Sequence, residues 1–420
     1  MAEWQGSLAD LNKIAFSGRQ NRSGYCSYEP INFTNRLTIW LFFEPIKLYI
    51  RLMQYNWELK TWPNFTFSTK DLENDLYNFA QETGEVSALL KLLPDDIKQE
   101  TLLEIILSEA IKTSEIEGEF LSRKDVMSSI KNNLGLNKTP DVVKDKRASG
   151  IANLMIDVRN TFLDQLTEDR LWNWHKLLFT DSKHINVGAW RKSNDPMQVV
   201  SGSLGKEEVH FEAPPSHWVS NEMDIFLQWF NETAPEGIKE INDPVIRAGI
   251  AHLYFESIHP FEDGNGRIGR VIAEKTISQT LGRPVMLSLS KTIERNRTDY
   301  YQALKNAQKS NEISEWLKYF TAIALQAQLE AKQTIDFTLR KIKVFDIFRE
   351  KLNDRQKKVL QKMYSFGIDG FEGGMTAKKY MSITKTSKAT ATRDLQHLEH
   401  LGVLVTFGGG RSVHYKIKES

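Results

Sequence analysis

Cysteine is all but absent from this chain: Cys26 is the one thiol in 420 residues. Without a second thiol no internal disulfide can form, and no zinc or iron–sulfur site can be built from cysteine. Long apolar runs are missing too. The most apolar stretch, Leu37 to Met53, is interrupted by Glu44, Pro45, Lys47 and Arg51, and it falls short of the about 20 apolar residues that span a bilayer. Acidic residues come early and the apolar run comes late, unlike a secretory signal. A cytoplasmic protein with no membrane partner is expected. An excess of charge is lacking as well. With a net charge of +1, attraction to nucleic acid has to come from a local patch. There is no internal repeat, no low-complexity tract and no G-x-x-x-x-G-K-[ST] phosphate loop.

What is present describes an ordinary globular protein, 40% hydrophobic and 26% charged, long enough for two or three domains. Residues 1–52 lack helical or strand periodicity. They are read either as a genuine extension or as translated sequence upstream of a start at Met53. An aromatic segment follows (Tyr55, Trp57, Trp62, Phe65), and residues 53–135 form an N-terminal helical module. Within it Lys70 to Leu93 places Leu72, Leu76, Phe79 and Val86 on one face, and a second helix runs from about Asp96 to Glu117. The polar stretch Asn137 to Asp145 reads as a linker. Residues 145–335 form a central block with helical patterns at 147–160, 168–179, 216–230, 244–257, 267–281, 291–308 and 312–334. Between the second and third of these, Gly188 to Phe211 reads as an inserted β-hairpin. The fold class expected is mainly α.

The segment His259-Pro-Phe-Glu-Asp-Gly-Asn-Gly-Arg-Ile-Gly-Arg270 concentrates the chemistry. Gly264, Asn265 and Gly266 lead into a helix, so backbone N–H groups and the helix N-terminus make an anion nest. Arg267 and Arg270, three apart, project from one face of the first turn and can hold further phosphate oxygens. Asp263 is a hard oxygen ligand placed to share Mg²⁺ with a polyphosphate. His259 has the near-neutral pKa of a base that takes a hydroxyl proton. Together they describe phosphoryl or nucleotidyl transfer. The embedded G-x-G-x-x-G is weak evidence for a dinucleotide site, because the residues before it, Pro244 to Ser257, are helix-periodic rather than a strand.

At its defining positions this segment resembles the Fic family motif. The resemblance implies a helical Fic core with a β-hairpin flap, and a protein adenylyltransferase that moves AMP from ATP to Ser, Thr or Tyr hydroxyls of a protein target, which could be the enzyme itself. It implies His259 as the base and Asp263 as the Mg²⁺ ligand. Asn265, Gly264 and Gly266 would lie on the α- and β-phosphates, and Arg267 and Arg270 on the β- and γ-phosphates. The hairpin around Met197 to Gly202 is similar to the flap that aligns a target by strand addition, which assigns Ser201 and Gly202 to the nucleotide side. Tyr300, Tyr301 and Gln308 resemble the adenine-side helix, although Asn is commoner at the position of Gln308. Thr113-Ser-Glu-Ile-Glu117-Gly118 is similar to the inhibitory motif of Fic proteins that carry their own brake. Glu117 would take Arg270 from the γ-phosphate, and relatives use this glutamate to remove AMP. Many relatives also form homodimers.

Residues 350–420 read as a separate module: helix, short helix, longer helix, then strand, glycine turn and strand, the order of a winged helix. From Leu352 onward, Lys and Arg outnumber Asp and Glu two to one. Lys385, Lys388, Arg393 and Arg411 are candidate phosphate contacts. Two classes of function therefore stay open. One is a self-inhibited adenylyltransferase; the other is a DNA-binding or protein-binding regulator with a silent or switching Fic core. His175, His184, His210, His217 and His252 show no ligand spacing and are read as packing or surface residues.

Overall fold

A computed structural model describes residues 54–180, 182–201, 208–367 and 370–418; the readings made for residues 1–52 and Gly202 lie outside them. The described residues are mainly helical. Helices α1 (Glu73–Leu92), α2 (Asp95–Ile116) and α3 (Arg123–Asn133) precede α4 (Lys146–Asn160) and α5 (Glu168–Leu178). A hairpin of β1 (Gln198–Ser201) and β2 (Glu208–Glu212) is followed by α6 (Val219–Glu232), α7 (Pro244–Ile258) and α8 (Asn265–Leu281). Then come α9 (Leu289–Arg295), α10 (Arg297–Ala307) and α11 (Ser314–Phe348). The chain ends with α12 (Asp354–Tyr364), α13 (Ala377–Thr384), α14 (Lys388–His400), β3 (Leu404–Phe407) and β4 (His414–Ile417). None of the described helices is long and apolar enough to cross a membrane.

Helices α7 and α8 form the centre. Asp243 caps α7 by accepting from the N–H groups of Val245 and Ile246, with Pro244 at the first helical position, where a missing N–H costs nothing. From Val245 to Ile258 every residue is buried, so the helix has no solvent face. Helix α8 is buried nearly throughout and stops at Gly282, whose φ of 67° ends it in the left-handed conformation. Helices α2 and α7 contribute to two cores. Leu103, Leu107, Tyr254 and Phe255 lie in one, with Phe226 and Phe230 of α6. Ile105, Ile116, Ile250 and Leu253 lie in the other, with Trp316 and Phe320 of α11. Each fully buried side chain of this size contributes about 1.5–3 kcal/mol.

The aromatic start is laced to the rest. Tyr55 meets Phe211 of β2 edge-on at 5.0 Å, and the Trp57 indole donates to the carbonyl of Glu212 at 2.7 Å. Buried Asn56 donates to Ser257 Oγ at 2.8 Å. The hairpin is shorter than the sequence suggests: β1 pairs antiparallel with β2 from Gln198↔Glu212 to Ser201↔Glu208, with a bulge between Val199 and Val200.

Two helical spans differ from expectation. The pattern over 291–308 breaks at Asn296 (φ −125°, ψ 46°), which separates α9 from α10. The pattern over 312–334 instead continues unbroken to Phe348, a helix of 35 residues. Its first half packs in the second core, whereas Phe337, Val344, Phe345 and Phe348 pack against the C-terminal helices. There Asn353 caps α12 in a capping box with Gln356, and β3 pairs antiparallel with β4 from Leu404↔Ile417 to Phe407↔His414. Buried Asp394 of α14 ties this module together, accepting from Arg355 Nε at 2.9 Å, Tyr380 Oη at 2.8 Å and Asn353 Nδ2 at 3.2 Å.

Candidate active site

The loop between α7 and α8 begins at His259, which caps α7 in the left-handed conformation with φ 51°. A residue with a Cβ is uncommon there and persists when its surroundings hold it. Arg191 does the holding. Its Nε donates to the His259 carbonyl at 2.8 Å, its Nη2 to the carbonyls of Pro214 and Ile258, and its backbone N–H to the Pro260 carbonyl at 2.9 Å. Burial brings this guanidinium down to a pKa of about 10. Arg191 carried no signal in the sequence, being 68 residues from its partner.

Phe261 anchors the loop, wholly buried and stacked on His175 at 4.2 Å. His175 in turn reaches the Asp263 carbonyl with Nε2 at 3.2 Å and accepts the Gly188 N–H on Nδ1 at 2.8 Å. Burial pushes its pKa down to about 4, so it is a neutral packing element, as read from the sequence. Asn265 spans the loop: Oδ1 accepts the Phe261 N–H at 2.9 Å and Nδ2 donates to the Phe261 carbonyl at 2.8 Å. These bonds leave its backbone N–H as the natural contact for an anion. Gly264 turns with φ 81° and gives α8 no side-chain cap, so the first N–H groups of the helix have no intrahelical partner. The Asp263 carboxylate is 59% exposed and accepts the Gly264 N–H at 2.6 Å.

The two arginines are deeply placed. Arg270, 1% exposed, donates from Nε to Thr113 Oγ1 at 2.8 Å and from Nη2 to Glu117 Oε1 at 2.7 Å, with Nη1 lacking a partner. Burial opposes its charge, but Glu117 and the tyrosines Tyr300 and Tyr301 outweigh that and raise its pKa. Glu117 is the residue at which α2 ends. Two positions on, Glu119 Oε2 accepts from Arg267 Nη1 at 2.8 Å. Arg267 is 4% exposed and lies over the ring of Phe179 at 4.9 Å. Thr113 opens the motif that singled out Glu117, whereas Glu119, just past that motif, was not singled out.

His259 presents a side chain 15% exposed with an unpartnered Nδ1. Burial, then the charge of Arg191, lowers its pKa to about 4. Of the adenine-side residues, only Tyr301 offers surface, at 39% exposure. Tyr300 is buried and its hydroxyl pairs with His252 Nε2 at 2.8 Å. Gln308 is buried and donates to the Glu256 carbonyl at 3.1 Å. Tyr300 on α10 and Gln308, the residue that ends it, are thus both turned into the core. Ser201 closes β1, and its side chain lies outside the described residues. Among the described residues no cluster of three or more His, Cys, Asp or Glu could cage a metal. The chemistry of Asp263 fits Mg²⁺ held by one carboxylate together with substrate phosphates.

Residues 165–277, which contain the whole of this loop and both arginines, match the model of the Fic/DOC family. The chain carries a Fic/DOC domain. Residues 55–136 match a domain of unknown function, DUF4172. Across 125 residues the chain is 28% identical to a probable protein adenylyltransferase of Aquifex aeolicus, covering 30% of this chain and 35% of that protein. Across 141 residues it is 26% identical to protein adenylyltransferase fic-1 of Caenorhabditis elegans, covering 34% of this chain and 24% of that one. The matched stretch thus spans about a third or less of these relatives. The crystal structure of a Fic family protein from Desulfovibrio desulfuricans G20 has a similar fold, with a TM-score of 0.51 at 19% identity over 85% of this chain and 98% of that one.

Proposed function

We propose that this protein transfers AMP from ATP to a Ser, Thr or Tyr hydroxyl of a protein target, and that Glu117 holds the transfer in check. The observation that carries the reading is the pairing of Arg270, buried on the second turn of α8, with Glu117 at the end of α2. A desolvated arginine beside the start of a helix is a polyphosphate contact, and a carboxylate seated on it competes with the γ-phosphate. His259, neutral at pH 7 given its lowered pKa, accepts the target hydroxyl proton. The backbone N–H groups at the start of α8 and the two arginines bind the phosphates and stabilise charge on the leaving pyrophosphate. Asp263 would hold Mg²⁺, which when bound neutralises polyphosphate charge. The names of the relatives support the same activity. Removal of AMP is a second activity of the same site, with Glu117 orienting water.

In this reading residues 53–135 supply the brake and residues 145–335 the core, in a cytoplasmic enzyme. Incubation with α-labelled ATP and Mg²⁺ tests it. Label should enter protein with Glu117→Gly at a rate at least about tenfold above wild type, the order of one lost charge-assisted contact. It should vanish when His259→Ala is added. No label in any form would sink the reading.

A second reading concerns residues 350–420 as a winged helix that binds duplex DNA. Its support is the outward face of α14, where Lys388, Ala389, Arg393 and Gln396 are exposed while Ala391, Leu395 and Leu398 are buried. Small and basic residues at the front of a helix suit a major groove.

A further inference from the structure

We propose that Glu256 is a positioning residue for the transfer reaction, holding the Nδ1 side of the His259 ring and balancing its charge when the ring accepts the target's proton. The inference rests on the AMP-transfer reading. Glu256 lies one turn before His259 on α7, and His252 one turn before that, so the three share one face of the helix. Glu256 is 4% exposed, and its Oε2 is 3.8 Å from His259 Nδ1. His259 Nδ1 and Glu256 Oε1 both lack a partner in good hydrogen-bond geometry, although the Glu256 backbone also acts on the ring and favours its protonated form. A buried carboxyl left partly unsatisfied is costly to folding. Here it stands next to the candidate base, with Arg270 acting on it through charge.

Helix α8 is shaped around this carboxyl. A Cβ at Gly269 would collide with Glu256 Oε1 and approach His252 Cε1 to 3.2 Å, so a hydrogen is what the contact admits. The charged and titratable groups facing the pair are Arg270 of α8, Glu117 at the end of α2, Tyr300 and Tyr301 of α10, and Arg191 from the segment before β1. Burial pushes the Glu256 carboxyl up to about 8, with Arg270 drawing it down and Glu117 adding to the rise. His259 sits at about 4. Near neutrality, therefore, the carboxyl holds a proton and the ring does not.

The proposed step balances as follows. The target oxygen bonds to the α-phosphorus as the bond to the pyrophosphate oxygen breaks, and the hydroxyl proton passes to the outward ring nitrogen, Nε2. The imidazolium then donates its Nδ1–H to Glu256, which must be a carboxylate to receive it. Transfer thus rises as Glu256 ionises.

Two measurements on the full chain decide this. In protein labelled with ¹³C at histidine Cε1, the His259 resonance, assigned by its loss in His259→Ala, should show a titration step near pH 8 that is absent from Glu256→Gln. In the Glu117→Gly background, Glu256→Gln should lower kcat by about tenfold or more, the low end of acid–base contributions, with KM for ATP unchanged. The rise of kcat with pH, which comes below pH 8 in this background because the Glu117 charge is gone, should also disappear. Gly269→Ala, which displaces the carboxyl while leaving it in the chain, should reproduce the kcat loss if Glu256→Gln folds poorly. Persistence of the upper titration step in Glu256→Gln, or an unchanged kcat and pH profile, overturns the proposal. If no form transfers AMP, the AMP-transfer reading fails, and the resonance still decides whether the carboxyl acts on the ring.

Discussion

Two guanidinium groups on the first two turns of α8 are each answered by a carboxylate at or just past the end of α2, yet the two pairs are not equivalent. Arg270 has its hydrogen bonds with Glu117 and Thr113. Arg267 has Glu119, a more distant Asp263 at 3.7 Å and the Phe179 ring. Glu119→Ala is therefore expected to raise AMP transfer only about two- to fivefold, less than Glu117→Gly, because the group it frees keeps other partners. Labelled-ATP assays of the two single variants and the double variant read this difference. Stability follows a different order. Gly269→Ala overpacks the contact with Glu256 and should cost about 1–3 kcal/mol, measured as a lower midpoint in urea. At this scale the contiguous segment 259–270 was legible because its residues adjoin in the chain and fold into one loop. Glu256 was one turn away and carried a signal, its i, i+3 spacing from His259. Arg191 reaches the loop only through tertiary structure, which periodicity does not report.

Between elements, Asn56 is a hydrogen-bonded tie from the N-terminal segment to α7, beside the packing of Trp62 and Phe65 on Tyr254. Its side chain reaches Ser257, and its N–H donates to the Gln308 carbonyl at 2.8 Å. Asn56→Ala should leave Ser257 with a lost buried partner and cost about 1–3 kcal/mol, seen as a lower melting temperature. Helix α1 was readable because its buried positions Phe79, Thr83, Val86 and Leu90 recur at helical spacing, whereas α7 and α8, buried nearly throughout, offer no such contrast and are marked by their length. The break at Asn296 was not, because the apolar positions on both sides continue one pattern while a single residue leaves the helical region. The burial of Tyr300 and Gln308 was not legible for a related reason: motif spacing puts them on α10 and at its end without saying which way the helix is turned.

For the whole molecule, the C-terminal module is expected to be the part most sensitive to acid. Burial alone would raise the pKa of Asp394, but the hydrogen bonds from Arg355, Tyr380 and Asn353 outweigh it and lower it. A carboxylate lowered on folding contributes stability above its unfolded pKa, and this is lost as pH falls through the folded value. Amides of α12 and α14 should then lose hydrogen-exchange protection below about pH 4, the range of an ordinary carboxyl, before those of α7 and α8. Asp394→Asn should remove that pH dependence. If residues 350–420 bind duplex DNA, binding should weaken steeply with salt, and Arg393→Ala should weaken it further in a fluorescence-anisotropy titration.

Helix α11 sets a geometric condition on all of this. It runs without a break from Trp316 and Phe320 beside the core to Phe345 and Phe348 beside the C-terminal helices. At about 1.5 Å and 100° per residue, it fixes both the separation and the azimuth of the two ends. One residue inserted after Ala331 would swing the far end by more than a quarter turn while lengthening the span only slightly. Seven inserted residues would nearly restore the original azimuth. The relation between the two ends is thus a matter of helical phase more than of distance.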